Sequence, residues 1–273
     1  MTSPAILVLT DFYAVSNRAL SYAASLAVPL QAHLVLLHVR HDRLLCPDEE
    51  AAAAPSARHT RQALIALADA QPVPTQVDVT EGYLPDAVAA AVRQHQPQLL
   101  VLGRPDNDAT PPTMVASAAQ DILRHVPFPL LVVPSVGWDN FPPRRMALAV
   151  DGEPFSLYEN QHLVPSLLSS LGAALTVVHV TTEPGPTAEV ERRVQHEIWR
   201  SGVTELAAGI QTHVVSNADA AEGILQVAAE VEADLLVLVA RRHNLLGGLF
   251  HRSVTAQLLA QSPLPVLLLP ALD

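Results

Sequence analysis

Short apolar runs closed by turn or polar residues alternate along this chain with longer stretches in which small and aliphatic residues recur every three or four places. Residues 5–10, 32–39, 74–79, 98–103 and 129–133 are too short for helices and are bounded by turn or polar residues, and they read as strands. Between them, residues 15–26, 58–68, 84–92 and 114–123 carry helical spacing. Such alternation predicts right-handed βαβ crossovers and one parallel sheet with helices on both faces.

The pattern is then written a second time. Ile6-Leu7-Val8-Leu9-Thr10-Asp11 is an apolar run closed by an acid, and Met146-Ala147-Leu148-Ala149-Val150-Asp151 repeats it 140 positions later (151−11). The copies also end alike, Pro127-Phe128-Pro129-Leu130-Leu131-Val132-Val133-Pro134 answering to Pro263-Leu264-Pro265-Val266-Leu267-Leu268-Leu269-Pro270. A period this long is a duplicated domain, not a solenoid repeat. Second-copy strands are expected at 146–150, 174–180, 209–215, 234–240 and 265–269, with helices at 155–171, 188–199, 221–231 and 253–259. Gly137-Trp138-Asp139-Asn140-Phe141-Pro142-Pro143 has turn chemistry and no periodicity, so the domains are set at residues 1–136 and 144–273. Loops are expected at 51–55 and at Pro184-Gly185-Pro186.

Composition sharpens this picture. Apolar residues make up 49% of the 273 but aromatics only 4%, so the interior is packed from Val, Leu, Ile and Ala, as in parallel strands covered by helices. A net charge of −11 without any Lys/Arg run argues against nucleic acid as a partner. Cys46 is alone, which excludes an internal disulfide and fits a reducing compartment. No apolar run reaches the roughly 18 residues of a membrane span, and no signal-peptide pattern opens the chain, so a cytoplasmic protein without membrane partners is expected.

In an open parallel sheet, ligands bind at the carboxyl ends of strands, where strand order reverses. In the first copy those ends carry Asp11, Val39-Arg40 and Gly103-Arg104, with Ala116-Ser117 opening the helix that follows. An acid there accepts hydrogen bonds from an amine or hydroxyl, and amides at a helix start hold an anion, a combination that suits a nucleotide.

At these residues the chain resembles the universal stress protein family. The matching pieces are Leu9-Thr10-Asp11-Phe12, Leu36-Leu37-His38-Val39, Leu99-Leu100-Val101-Leu102-Gly103 and the segment from Ser117 to Pro134. In the second copy, Thr176-Val177-Val178-His179-Val180, residues 235–240 and Ser253-Val254-Thr255 through Pro270 follow in the same order. The resemblance implies an α/β fold of two Rossmann-like (adenine nucleotide alpha hydrolase-like) domains. Each would be a five-stranded parallel sheet of order 3-2-1-4-5, and the last strands would pair to make an intrachain pseudo-dimer, with a homodimer of whole chains open. It further implies a stress-response regulatory module with ATP and Mg²⁺ as the cofactor, held mainly by domain 1 at Asp11, Val39, Gly103, Arg104, Ala116 and Ser117. The second-copy counterparts are Asp151, Val180, Ala240 and Ser253.

The family's phosphate grip is a Gly-x-x-Gly pair after the fourth strand and a Gly before Ser or Thr at the next helix, and this chain departs from it. Gly103 is followed by Arg104-Pro105-Asp106, and Ala116 precedes Ser117; in the second copy Ala240, His243 and Arg252 stand at the glycine positions, with Gly247 and Gly248 too late to substitute directly. Proline donates no amide, and side chains hinder close phosphate approach. A partner-binding scaffold with decayed pockets is therefore the alternative to nucleotide binding.

Each candidate also has a plainer reading. Asp11 can cap the first helix, Asp151-Gly152 can be a turn, and Ser117 and Ser253 can be helix caps. His38 and His179 hold equivalent places and read as hydrogen-bonded structural residues, while the pairs His38/His41 and His243/His251 are poor metal sites. Arg241-Arg242-His243 reads as an anion contact or as a solvated turn, and Cys46, beside acids, is no nucleophile. No Gly-x-Ser-x-Gly, His-Glu-x-x-His or Walker loop is present, so no catalysis beyond weak ATP hydrolysis is expected.

Overall fold

The computed structural model describes residues 3–10, 14–40, 57–105, 112–136, 142–157, 162–182, 185, 188–203, 210–241 and 253–272. The chain divides into two compact units, Met1–Val136 and Gly137–Asp273. Asp11, His41, Cys46, Arg242, His243, Gly247, Gly248, His251 and Arg252, the loop at 51–55, most of the 137–143 linker, and Pro184 and Pro186 lie outside the described residues.

In the first unit, strands β1 (Ala5–Leu9), β2 (His33–Arg40), β3 (Thr75–Glu81), β4 (Pro97–Arg104) and β5 (Leu130–Pro134) alternate with helices α1 (Ala14–Leu30), α2 (Ala57–Asp69), α3 (Leu84–His95) and α4 (Pro112–His125). Every strand pair is parallel and the order is β3-β2-β1-β4-β5. All five residues of β1 are buried, as a strand covered by helices on both faces requires.

The second unit repeats the plan with β6 (Arg145–Val150), β8 (Ala174–Thr181), β9 (Gln211–Ser216), β10 (Leu235–Arg241) and β11 (Val266–Leu272), again parallel, in the order β9-β8-β6-β10-β11. Its helices are α5 (Leu163–Leu171), α6 (Ala188–Arg200), α7 (Ala220–Glu230) and α8 (Val254–Gln261). One expected element is corrected. The periodicity at 155–171 predicts a single helix, yet among the described residues of that span the α-helix is Leu163–Leu171, and Ser156–Leu157 forms a short strand, β7, antiparallel to Leu272 and Ala271 of β11.

Strand register fixes which residues correspond between the units. Val8 lies opposite Leu36 and Val101, and Leu148 lies opposite Val177 and Val237. Gly103 is paired with Val133, and Val239 with Leu269; one step on, Arg104 is paired with Pro134 and Ala240 with Pro270. Matching the sequence at its basic residue aligns Gly103 with Ala240, whereas the sheet aligns Gly103 with Val239 and Arg104 with Ala240. The reason is that, counted from the aligned pair Val101 and Val237, β10 reaches its arginine one residue later than β4 does.

Candidate functional site

In the second unit a cleft of about 190 Å³ opens at the carboxyl ends of β6, β8 and β10, the place where a doubly wound sheet binds its ligands. Ala149, Val150, Val180, Leu238 and Val239 come from the strands, Ala220 and Ile224 from α7, and Val254, Thr255 and Leu258 from α8. Among the described residues, Asp151 supplies the one charged group of this lining. Helix α7 approaches closely because it carries Gly223: a Cβ there would meet both methyls of Val180 at 3.0 Å. Asp219 caps α7 by accepting from the amides of Ala221 and Glu222, and its second oxygen accepts from Gln257 Nε2 of α8 at 3.2 Å. Those hydrogen bonds, the one from Gln257 first, hold the Asp219 carboxyl below its ordinary pKa.

Asp151 is built into a turn. Its Oδ1 accepts from the amide of Glu153 at 3.1 Å, and Gly152 follows with φ +80°. A Cβ at Gly152 would lie 3.0 Å from Cε1 of His179. His179 in turn makes a 3.0 Å hydrogen bond through Nδ1 with the carbonyl of Val150, and His38 does the same with the carbonyl of Thr10 at 2.8 Å. The two histidines are structural counterparts, each tying the second strand to the end of the first.

Arg241 itself fits neither sequence reading of the basic segment, whose other members, Arg242 and His243, lie outside the described residues. Its side chain is only 4% exposed, and it grips Asp151 in two places, Nε to Oδ2 at 2.6 Å and Nη2 to Oδ1 at 2.7 Å. It also donates to the carbonyls of Glu153 and Pro154, both at 2.8 Å, and its guanidinium lies 6.0 Å from the Phe155 ring centroid. It is neither solvated nor free to clasp an anion. The same bonds help explain why the helix expected at 155–171 does not begin at 155, because the carbonyls of Glu153 and Pro154 leading into it are held by Arg241, and Ser156 and Leu157 pair with β11. Burial alone raises the Asp151 carboxyl, but the hydrogen bonds from Arg241 and the Glu153 amide, with the charge of Arg241, outweigh it and leave the pKa below the ordinary value.

The structure brings Asp151, Val180 and Val239 together around the cleft, while Ala240 is buried and outside its lining. Ser253 precedes α8 as its N-cap residue in extended conformation, without a side-chain capping bond. In the first unit, Val39 is buried at the end of β2, Gly103 is half-buried, and Arg104 is buried at the end of β4. Ser117 does not open its helix. Helix α4 already begins at Pro112, so Ala116 is buried inside it and Ser117 spends its hydroxyl on the carbonyl of Thr113 at 3.0 Å. Among the described residues, no group of three or more His, Cys, Asp or Glu is placed to hold a metal ion, and no helix is long and apolar enough to cross a membrane.

The sequence profile of the universal stress protein family matches residues 4–134 and again 143–270. The chain belongs to that family, in tandem form. No curated protein matches it. Among solved structures it is similar to a universal stress protein from Archaeoglobus fulgidus DSM 4304, with 15% identity, 98% of this chain and 96% of that one covered, and a TM-score of 0.67. A putative universal stress protein from Pseudomonas aeruginosa UCBPP-PA14 follows at 16% identity, covering 98% and 93%, with a TM-score of 0.56. The cytoplasmic domain of a prokaryotic cation chloride cotransporter shares the fold at 10% identity, 100% and 96% coverage, and a TM-score of 0.54. In this universal stress protein, register places Val239 of the second unit where the first unit has Gly103, and Val239 lines the cleft.

Proposed function

We propose that this tandem universal stress protein is a non-catalytic regulatory module that takes up an adenine nucleotide weakly, with the base in the second-unit cleft. The observation that carries this reading is the apolar cleft at the carboxyl ends of β6, β8 and β10, bordered by Asp151. Its volume of about 190 Å³ exceeds the roughly 150 Å³ cavity that accepts a benzene ring and falls below the roughly 300 Å³ of ordinary small-molecule pockets. A planar base fits that space better than a whole nucleoside triphosphate. Among the described residues the side-chain bond to Asp151 Oδ2 comes from Arg241, and a carboxylate oxygen with one such bond can accept another from a ligand amine or hydroxyl. The first amides of α8 face the same cleft as the remaining donors for a phosphate. ATP with Mg²⁺ enters as one candidate ligand among adenosine, AMP and ATP, and hydrolysis is incidental.

The first unit, which its retained Gly103 and Asp11 would favour, comes second in this reading because Ser117 lies inside α4. Isothermal titration of the intact chain with adenosine, AMP and ATP, with and without Mg²⁺, tests the proposal. Saturable heat at millimolar ligand that disappears in Leu258→Trp, which fills the cleft, is the expected result. No heat with any of the three ends it.

A second reading, a partner-binding scaffold with closed pockets, is favoured by Val239 and by the Asp151–Arg241 ion pair. Mass spectrometry of small molecules released from freshly purified protein separates the two: a co-purified adenine compound supports binding, and its absence together with silent titrations supports the scaffold.

A further inference from the structure

We propose that Arg241 determines which ligand charge the second-unit cleft accepts, by cancelling the charge of Asp151 without touching the ligand. The inference rests on the binding reading above and names the device that lets a phosphorylated ligand approach. On a chain of net charge −11, an acid at the mouth of an apolar cleft repels a phosphate, and among the described residues the cleft lining holds no basic side chain to offset it. Arg241 offsets it from behind.

Four hydrogen bonds commit the guanidinium, two to Asp151 and one each to the carbonyls of Glu153 and Pro154, which is nearly the whole donor set of an arginine. One N–H of the five is left on a side chain only 4% exposed, so Arg241 is not built as an anion clamp. Its side chain is 4% exposed while that of Asp151 is 49% exposed, so the carboxylate faces the ligand and the compensating charge is fixed beneath it. Oδ1 is filled by Arg241 and by the amide of Glu153, and Oδ2 keeps room for one donor. The mouth of the cleft thus offers a hydrogen-bond acceptor with little net charge. Such a site binds a neutral nucleoside and its monophosphate alike, and gives a cation no advantage.

The test compares adenosine with AMP on the full-length chain. In the wild type the two bind within about threefold of each other, and AMP affinity changes about twofold or less between about 50 and 500 mM salt. In Arg241→Met the exposed carboxylate is uncompensated, and AMP weakens relative to adenosine by about tenfold. Adding Asp151→Asn to Arg241→Met restores the ratio, which loss of a purely structural contact would not do. Arg241→Lys, which keeps the charge, leaves the ratio near that of the wild type. An unchanged ratio in Arg241→Met, or no restoration in the double variant, overturns the role of Arg241 while leaving the binding reading intact. Should Arg241→Met not fold, a wild-type AMP affinity that varies steeply with salt overturns it equally. Absence of binding by both ligands removes the binding reading itself, and this role with it.

Discussion

Where the fourth strand of each unit begins, the two copies solve the same problem with different chemistry. Asp234, only 4% exposed, accepts from the amide of Arg144 at 3.0 and 2.9 Å and from the amide of Arg145 at 2.8 Å, tying the start of β10 to the start of β6. By register the first-unit counterparts are Gln98, Pro4 and Ala5. Proline has no amide to donate, so a carboxylate there would lose half of its partners, and the chain places an uncharged amide instead. The Gln98 Nε2 atom is buried without a hydrogen-bond partner. Duplication has kept the frame and let an interacting set of residues change together.

Removing the acid gives the largest expected effect. Asp234→Ala strands two inward-facing amides and is expected to cost about 3–4 kcal/mol, read as a lower urea midpoint for the second unit's transition. Gln98→Ala, which deletes an already unsatisfied group, is expected to cost about 1 kcal/mol or less. Equal losses at the two positions would break the comparison.

Next comes the turn after the first strand. Sequence position 12 is Phe and its counterpart 152 is Gly, and only the second copy shows a reason for glycine. Gly152 sits at φ +80° against the ring of His179. Gly152→Ala therefore combines backbone strain with a forced movement of a histidine that is 5% exposed, and a loss of about 1–3 kcal/mol is expected in the same denaturation experiment. A neutral substitution would show that the turn tolerates a β-carbon and that the contact is slack.

The fold was legible because its signals are local. Each of the five parallel strands of either unit overlaps a short run read as a strand, and every expected helix is present, the one at 155–171 only from Leu163 onward among the described residues. What failed was non-local. The shortened helix before α5 depends on Arg241, some 90 positions away in the chain, and no periodicity within 155–171 carries that information. The one-residue offset at Val239 shows in the pairing with β11, and only a count back from the closing proline, 31 residues in each copy (134−103 and 270−239), finds it in the sequence. Histidine pairs at equal places were readable as structural, since their repetition in both copies pointed to a shared backbone bond. Arg241 could have been suspected from sequence only by noting that its copy also retains an acid at Asp151, so that each charge has a partner of opposite sign at a strand end.

The ion pair itself makes a smaller and pH-dependent contribution. The Asp151 carboxyl titrates below its ordinary value when folded, so it adds stability above about pH 4 and that stability is lost as pH falls through the lower folded value. Because the carboxylate is about half exposed, solvent screening limits the contribution to about 1 kcal/mol or less. Asp219 is lowered as well and has the same sign. Subtracting the acid unfolding profile of Asp151→Asn from that of the wild type cancels the Asp219 part. The expected difference shrinks on acidification below about pH 4; a difference that is flat through that range would mean the pair adds no protonation-linked stability.

The smallest effect on stability, and the most selective one for binding, is expected at two serines that register makes equivalent, Ser117 and Ser253, each 17 residues before the proline that closes the copy (134−117 and 270−253). Ser117 lies within α4, exposed, its hydroxyl bonded to the carbonyl of Thr113. Alanine is the better helix former, so Ser117→Ala should change stability by about 0.5 kcal/mol or less and leave nucleotide titrations as they were. Ser253 stands at the end of α8 beside the cleft, but its hydroxyl makes no capping bond, so Ser253→Ala should also cost less than the ordinary ~1 kcal/mol of a lost cap. Its hydroxyl is instead available to a ligand that reaches the first turn of α8. If the second unit is the binding half, Ser253→Ala weakens AMP by about threefold to tenfold, the share of one hydrogen bond, while Ser117→Ala does nothing. The reverse outcome, AMP weakened only by Ser117→Ala, would require α4 to unwind at its start on binding and would return the nucleotide to the first unit.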